Sequence, residues 1–163
     1  MHIWYCSSGV GLLCLTEEDG FLTGLHFCAG AAPAPEALPC GGCPTPLLAE
    51  AERQLNEYFA GARTEFDLPL RAQGTDFQKA VWAELRRIPY GQTRTYGQLA
   101  AALGRPKASR AVGGACHCNP IAILVPCHRV IGASGALTGF AGGLEVKRGL
   151  LELEQAVLTG GRV

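Results

Sequence analysis

Cys127 and His128 are adjacent in the segment NPIAILVPCHRVIGASGALTGFAGG, after a short apolar run and Pro126. A thiol next to an imidazole can attack carbon. Free cysteine ionises at about pH 8.5, so near neutrality it needs a base or a nearby positive charge. Histidine can supply either. Neighbouring side chains on an extended strand point to opposite faces, so a turn or a bridging water would have to connect the pair. Two adjacent residue types alone do not distinguish a nucleophile from incidental neighbours.

The other thiols offer weaker chemistry. Cys6, Cys14 and Cys28 lie among apolar residues, where free cysteine packs as a small hydrophobe. Cys40 and Cys43 form a C-x-x-C in PCGGCP, but no second C-x-x-C or spaced His pair completes a zinc set. Cys116-His117-Cys118 brings three soft ligands together and reads as incidental surface residues. No metal is expected. MHIWYCSSGVGLLCLTEEDG lacks the basic start and long apolar stretch of a secretion signal, so eight cysteines read as reduced thiols in a cytoplasmic protein. No apolar run approaches the ~18 residues of a membrane span, and no membrane partner is expected.

A formal net charge of zero conceals an asymmetry. Residues 1–70 carry two Lys/Arg against nine Asp/Glu, whereas residues 71–163 carry twelve against five. Residues 85–144 contain no acidic residue but include Arg86, Arg87, Arg94, Arg105, Lys107, Arg110 and Arg129. A one-signed stretch of this kind suits a polyanion. Its bland alternative is a basic surface balancing the acidic half.

The elements that must position these residues are legible in part. HIWYC, VGLLCLT and FLTGLHF are β-prone runs, with a turn at EEDG. After a Pro/Ala/Gly-rich loop over 29–44, Thr45-Pro46 caps a helix whose apolar face holds Leu48, Leu55, Tyr58 and Phe59, closed by Gly61. TEFDLPLRAQG reads as a short strand and a linker, with a boundary near Ala72. Thr75–Gln78 and Thr95–Gln98 each fit a capping box. Phe77, Val81, Leu85 and Ile88 face inward from the first helix, Leu99 and Leu103 from the second. Gly104 stops the second and Pro106 helps start a third, a pair resembling a helix-turn-helix. On that third helix Ala108, Ala111, Val112 and Ala115 pack inward, leaving Arg110, Gly113, Gly114 and His117 opposite. Two exposed glycines cost roughly 1 kcal/mol each against alanine but let a partner's backbone come close. Glycine-mediated packing inside the protein is the alternative. Residues 121–125 read as a buried strand.

PCHRVI, preceded by RAVGGA and the Asn-Pro of NPIAILV and followed by GFAGGLEVKRGLLELE, resembles the methylated-DNA–protein-cysteine methyltransferase family. The resemblance runs continuously over about 75–154; the N-terminal third resembles the family only in length and general pattern. It implies an α+β fold: an N-terminal, ribonuclease-H-like sheet with a helix over 1–72, and a mostly helical domain with a helix-turn-helix over 73–163. The implied activity is direct-reversal DNA repair. An alkyl group passes from O-6-alkylguanine, and from O-4-alkylthymine, to Cys127, once per molecule and without a cofactor.

The resemblance also implies roles. Cys127 would accept the alkyl group, His128 would act as its base through a water, and Glu154 would orient the imidazole. Tyr96 would hydrogen-bond the guanine and give a proton as it leaves, and Asn119 would hold the site together. Arg110 would fill the space of the flipped nucleotide, with Thr95, Ala111, Gly113 and Gly114 facing the minor groove of double-stranded DNA. Pro126, Val130, Ser134, Phe140 and Ala141 would line the substrate pocket, and the protein would be a monomer. Some relatives carry an N-terminal zinc site, but Cys6, Cys14, His26 and Cys28 do not align onto a complete ligand set. The alternatives are a module that binds alkylated DNA without transfer, in which the acceptor cysteine is replaced, and a cysteine hydrolase.

Overall fold

The computed structural model describes residues 1–34 and 42–160. β1 (His2–Ser8), β2 (Gly11–Glu18) and β3 (Phe21–Cys28) form one antiparallel sheet in sequence order. Alternation puts Leu13 and Leu15 of β2 on the covered face, and a register irregularity between β2 and β3 at Thr16/Glu17 lets Leu22 and Leu25 of β3, three residues apart, both be buried. α1 (Pro46–Phe59) lies against the sheet, burying Leu48, Ala51, Leu55 and Tyr58. Its cap is the expected one, with the Thr45 hydroxyl accepting from Leu48 N at 3.1 Å.

α2 (Asp76–Leu85), α3 (Tyr96–Ala102) and α4 (Ser109–His117) pack on one another. Both expected capping boxes are formed, at Thr75/Gln78 and Thr95/Gln98. Trp82 Nε1 ties α2 to α4 by donating to Ala115 O at 2.8 Å. Two-residue strands β4 (Arg94–Thr95) and β5 (Val130–Ile131) pair in parallel, and α5 (Leu144–Leu158) closes the chain. The architecture is α+β, and among the described residues no helix is long and apolar enough to cross a membrane.

Several expectations need correction. Residues 121–125 are buried, but they form a tight turn rather than a strand; only Ile121 pairs, as an isolated bridge to Leu25. An apolar run records burial, not conformation. The strand expected in TEFDLPLRAQG shrinks to one bridge, Leu70 to Leu22. α4 begins at Ser109, later than Pro106 suggested. On it Ala111 is exposed, and Cys116 takes the inward place. Arg129 is buried and leaves the basic surface. Cys40 lies outside the described residues, and its expected partner Cys43 is exposed. The seven described cysteines are free thiols; Cys6 is buried, whereas Cys14 and Cys28 are half-buried.

Candidate active site

The edge of β3 fixes the start of the site. Leu25 N donates to Pro120 O at 2.9 Å and Ala122 N to Leu25 O at 3.2 Å, so the segment after α4 hangs from the sheet. Asn119 then shapes the turn. Its Oδ1 accepts from Ile121 N at 3.0 Å, while its Nδ2 donates to Val125 O at 2.9 Å and contacts Cys127 Sγ at 3.2 Å. Ile123 sits at φ 68°, a left-handed conformation that costs a β-branched residue about 1–3 kcal/mol. Burial of its side chain holds it there.

Pro126 (φ −81°, ψ 63°) makes an inverse γ-turn, with Cys127 N donating to Val125 O at 2.8 Å. Cys127–Arg129 is one 3-10 turn. With three residues per turn, successive side chains diverge by about a third of a circle. Cys127 therefore points to Asn119 while His128 and Arg129 reach Glu154.

α5 presents Lys147, Leu150 and Glu154 on one buried stripe. Glu154 is fully enclosed. Its Oε2 meets His128 Nε2 at 2.6 Å, Tyr58 Oη at 2.6 Å and Arg129 Nη2 at 3.2 Å; Oε1 accepts from Arg129 Nε at 2.8 Å and Gly91 N at 3.0 Å. Gly91 is at φ 77°, a left-handed conformation that favours glycine, and that backbone delivers the amide to Glu154. Arg129 Nη1 also donates to Ile88 O at 2.8 Å.

Burial pushes the Glu154 carboxyl up, but His128 and Arg129 outweigh it and hold it at about 2. Burial lowers the His128 imidazole below its ordinary value; Glu154 opposes this, and Arg129 and Lys147 reinforce it. His128 is therefore neutral near neutrality. A carboxylate only accepts, so the ring proton must sit on Nε2 and leave Nδ1 as the base. Nδ1 is buried and, among the described residues, has no hydrogen-bond partner. The Cys127 thiol is raised by burial, an effect that Asn119 and the Lys147 ammonium partly reverse.

Thr138 joins the far wall. Its carbonyl accepts from Lys147 Nζ at 2.7 Å, and its hydroxyl lies 2.7 Å from Tyr96 Oη. Tyr96, Ser109, Arg110, Gly113, His117, Thr138 and Gly139 line a cleft of about 440 Å³. A Cβ on Gly113 would make only ordinary contact with Tyr96, and one on Gly114 would meet nothing within 4 Å. Internal packing thus explains neither glycine. Arg110 and Ala111 are exposed beside them, and Thr95 caps α3.

The remaining pocket candidates are not gathered in that cleft. Val130 is buried in β5, Ser134 and Ala141 are exposed, and Phe140 stacks edge-on against Phe27 with centroids 5.4 Å apart. Pro126 instead lines a separate cleft of about 340 Å³ with Tyr90 and Arg129. Sequence reasoning assigned no role at the site to Lys147, Tyr58 or Arg129. A lysine in the apolar stripe of α5 was a readable signal for the first. No comparable signal marked Tyr58, which fits an ordinary apolar face. Among the described residues no group of three His, Cys, Asp or Glu is placed to hold a metal.

Similarity to known proteins gives the chain's family. Residues 76–156 match the 6-O-methylguanine DNA methyltransferase, DNA binding domain, and residues 1–72 match the ribonuclease-like domain of the same family, so similarity reaches the N-terminal third as well. A methylated-DNA–protein-cysteine methyltransferase of Mycolicibacterium paratuberculosis is 50% identical over 149 residues, covering 91% of this chain and 88% of that one. The Mycobacterium bovis protein of that name is 63% identical over 103 residues, 63% of this chain but only 62% of its own length. A crystal structure of Mycobacterium tuberculosis OGT in complex with DNA superposes with a TM-score of 0.85 at 48% identity, over 96% of this chain and 94% of that one. The chain belongs to the 6-O-methylguanine DNA methyltransferase family.

Proposed function

We propose that this protein repairs DNA by moving an alkyl group from O-6 of guanine to Cys127, once per molecule. The observation that carries the reading is a buried imidazole, adjacent to Cys127 in one 3-10 turn, whose Nε2 is fixed by Glu154 while Nδ1 has no partner among the described residues. The thiol proton passes through a water to Nδ1. Sulfur attacks the alkyl carbon, and the S–C bond forms as the C–O6 bond breaks. The Tyr96 hydroxyl gives its proton to a purine ring nitrogen, and the imidazolium returns one to the phenolate. The net change is alkyl to sulfur and hydrogen to guanine. A thioether is not hydrolysed under mild conditions, so Cys127 is not regenerated. The same displacement applies to O-4-alkylthymine.

Chemistry on a base requires its extrusion from the stack, at a few kcal/mol. Arg110, exposed on α4 beside Gly113 and Gly114, supplies a side chain to occupy that gap on a face bare enough for the DNA backbone. α3 and α4 act as a helix-turn-helix docked in the minor groove of duplex DNA. Residues 1–72 and 73–163 are taken as two domains of a monomer. The reduced thiols suit a cytoplasmic location.

Arg110→Ala is expected to slow transfer from duplex DNA at least about tenfold, with little effect on reaction with a free O-6-alkylguanine base, which needs no extrusion. Single-turnover rates on the two substrates check this. Equal losses would place Arg110 in the pocket or in folding.

A further inference from the structure

Asn119 touches two buried cysteines at once. Its backbone N donates to Cys116 O at 3.2 Å, ending α4, and its side-chain Nδ2 lies 3.2 Å from Cys127 Sγ. Cys116 shares the buried face of α4 with Val112 and Ala115, and Cys127 opens the 3-10 turn. Lys147, fully buried, carries its charge close to both sulfurs and favours the thiolate of each. Tyr96 lies over α4 one turn before Cys116, since a Cβ on Gly113 would meet its ring at 3.8 Å. Its hydroxyl reaches Thr138, whose carbonyl accepts from Lys147 Nζ. The charge of either thiolate is felt at the Tyr96 phenol, and that of Cys127 at Cys116. Asn119, Lys147 and Tyr96 therefore enclose two thiols, although alkyl transfer uses only Cys127. Cys116 is 9% exposed and Cys127 8%, which admits a small oxidant and excludes a bulky one.

We propose that Cys116 and Cys127 form a peroxide-modification site, in which Cys116 captures an oxidised Cys127 as an intramolecular disulfide. Hydrogen peroxide is the oxidant. The Cys127 sulfur attacks one peroxide oxygen and the O–O bond breaks, giving a sulfenic acid and one water. The Cys116 sulfur then attacks the Cys127 sulfur. The S–S bond forms, the S–O bond breaks, and the hydroxyl leaves with the Cys116 thiol proton as a second water. Two thiols and one peroxide thus give one disulfide and two waters. The benefit of this step rests on reading Cys127 as a single-use alkyl acceptor. A second peroxide would carry the sulfenic acid to a sulfinic acid, which thiols do not reduce, and the acceptor would be lost before it met DNA. A disulfide is returned to two thiols by exchange with reduced thiols.

The test is oxidation of the reduced full chain with hydrogen peroxide, capping of free thiols with iodoacetamide, and peptide mapping without reductant. Chymotryptic cleavage after Leu124 separates Cys127 from Cys116 and Cys118. The expected product is a monomer in which the two peptides are joined, lighter by two hydrogens than their sum, with fragmentation placing the cap on exposed Cys118. Dithiothreitol should then return at least about three-quarters of the methyl uptake from duplex DNA. In Cys116→Ser the same dose should leave Cys127 two oxygens heavier and cut the recovered uptake at least about fivefold. Cys118→Ser should behave as wild type. If Cys116→Ser does not fold, the wild-type map still decides. A map without the Cys116–Cys127 link at any dose, or with Cys127 joined to Cys118 or to a second molecule, overturns the proposal. The map uses no DNA, so failure of wild-type protein to take an alkyl group from guanine would count against the proposed function and leave the cross-link readable.

Discussion

Cys127→Ser is expected to abolish alkyl uptake, a loss of at least about three orders of magnitude, while DNA binding persists. A hydroxyl is a far weaker nucleophile than a thiol at neutral pH, and the array around it was built for sulfur. Exposure does not single out Cys127, because Cys118 is exposed and Cys127 is buried. What distinguishes Cys127 is its contact with Asn119 Nδ2 and its place directly before His128 in the 3-10 turn. Cys116 has no such hydrogen-bond donor on its sulfur, and burial, only partly offset by Lys147, pushes its thiol up to about 12. Cys116→Ser and Cys118→Ser should therefore still accept the group. Transfer of a labelled methyl group from duplex DNA measures each variant, and uptake by Cys127→Ser would contradict the assignment.

Glu154→Gln should damage both stability and rate. The substitution leaves the Arg129 guanidinium buried without its counter-charge, which costs about 3–5 kcal/mol and lowers Tm by about 10 °C or more. It also frees His128 to change tautomer, so transfer should slow by about two orders of magnitude in variant that is still folded. The pH dependence follows from the same groups. Glu154 is depressed from 4.5 to about 2, so its contribution is present above pH 4.5 and is lost as pH falls from 4.5 through 2. His128 is lowered from 6.5, so its contribution is present above pH 6.5 and fades below it. Wild-type Tm should begin to fall below pH 6.5 and drop more steeply below 4.5; the Gln variant should lack the second step. A variant with wild-type Tm and rate would remove Glu154 from the account.

Local chemistry was legible wherever it was local. The capping boxes at Thr75 and Thr95 could be read because cap and partner lie three residues apart. The turn at 121–125 could not, because the Asn119 contacts and the positive φ of Ile123 are enforced by surrounding packing, and an apolar run serves a strand or a turn equally. Arg129 read as surface charge because its partner Glu154 is 25 residues further on. Tyr58 satisfied a helical apolar face, which hid the hydroxyl that crosses to Glu154. The motif named Cys127, His128, Asn119 and Glu154; the structure pairs Asn119 with Cys127 and, separately, His128 with Glu154, while the contacts around Glu154 also come from α1 and the Gly91 turn.

Transfer of one alkyl group per molecule to Cys127 is decided by intact mass. Purified protein is incubated with excess duplex carrying O-6-methylguanine, and its mass is followed to completion with peptide mapping. The expected result is a gain equal to one CH2, confined to the Cys127 peptide, with one guanine restored per protein consumed. Methyl groups spread over several cysteines, an unchanged protein mass, or guanine restored beyond one equivalent would contradict it.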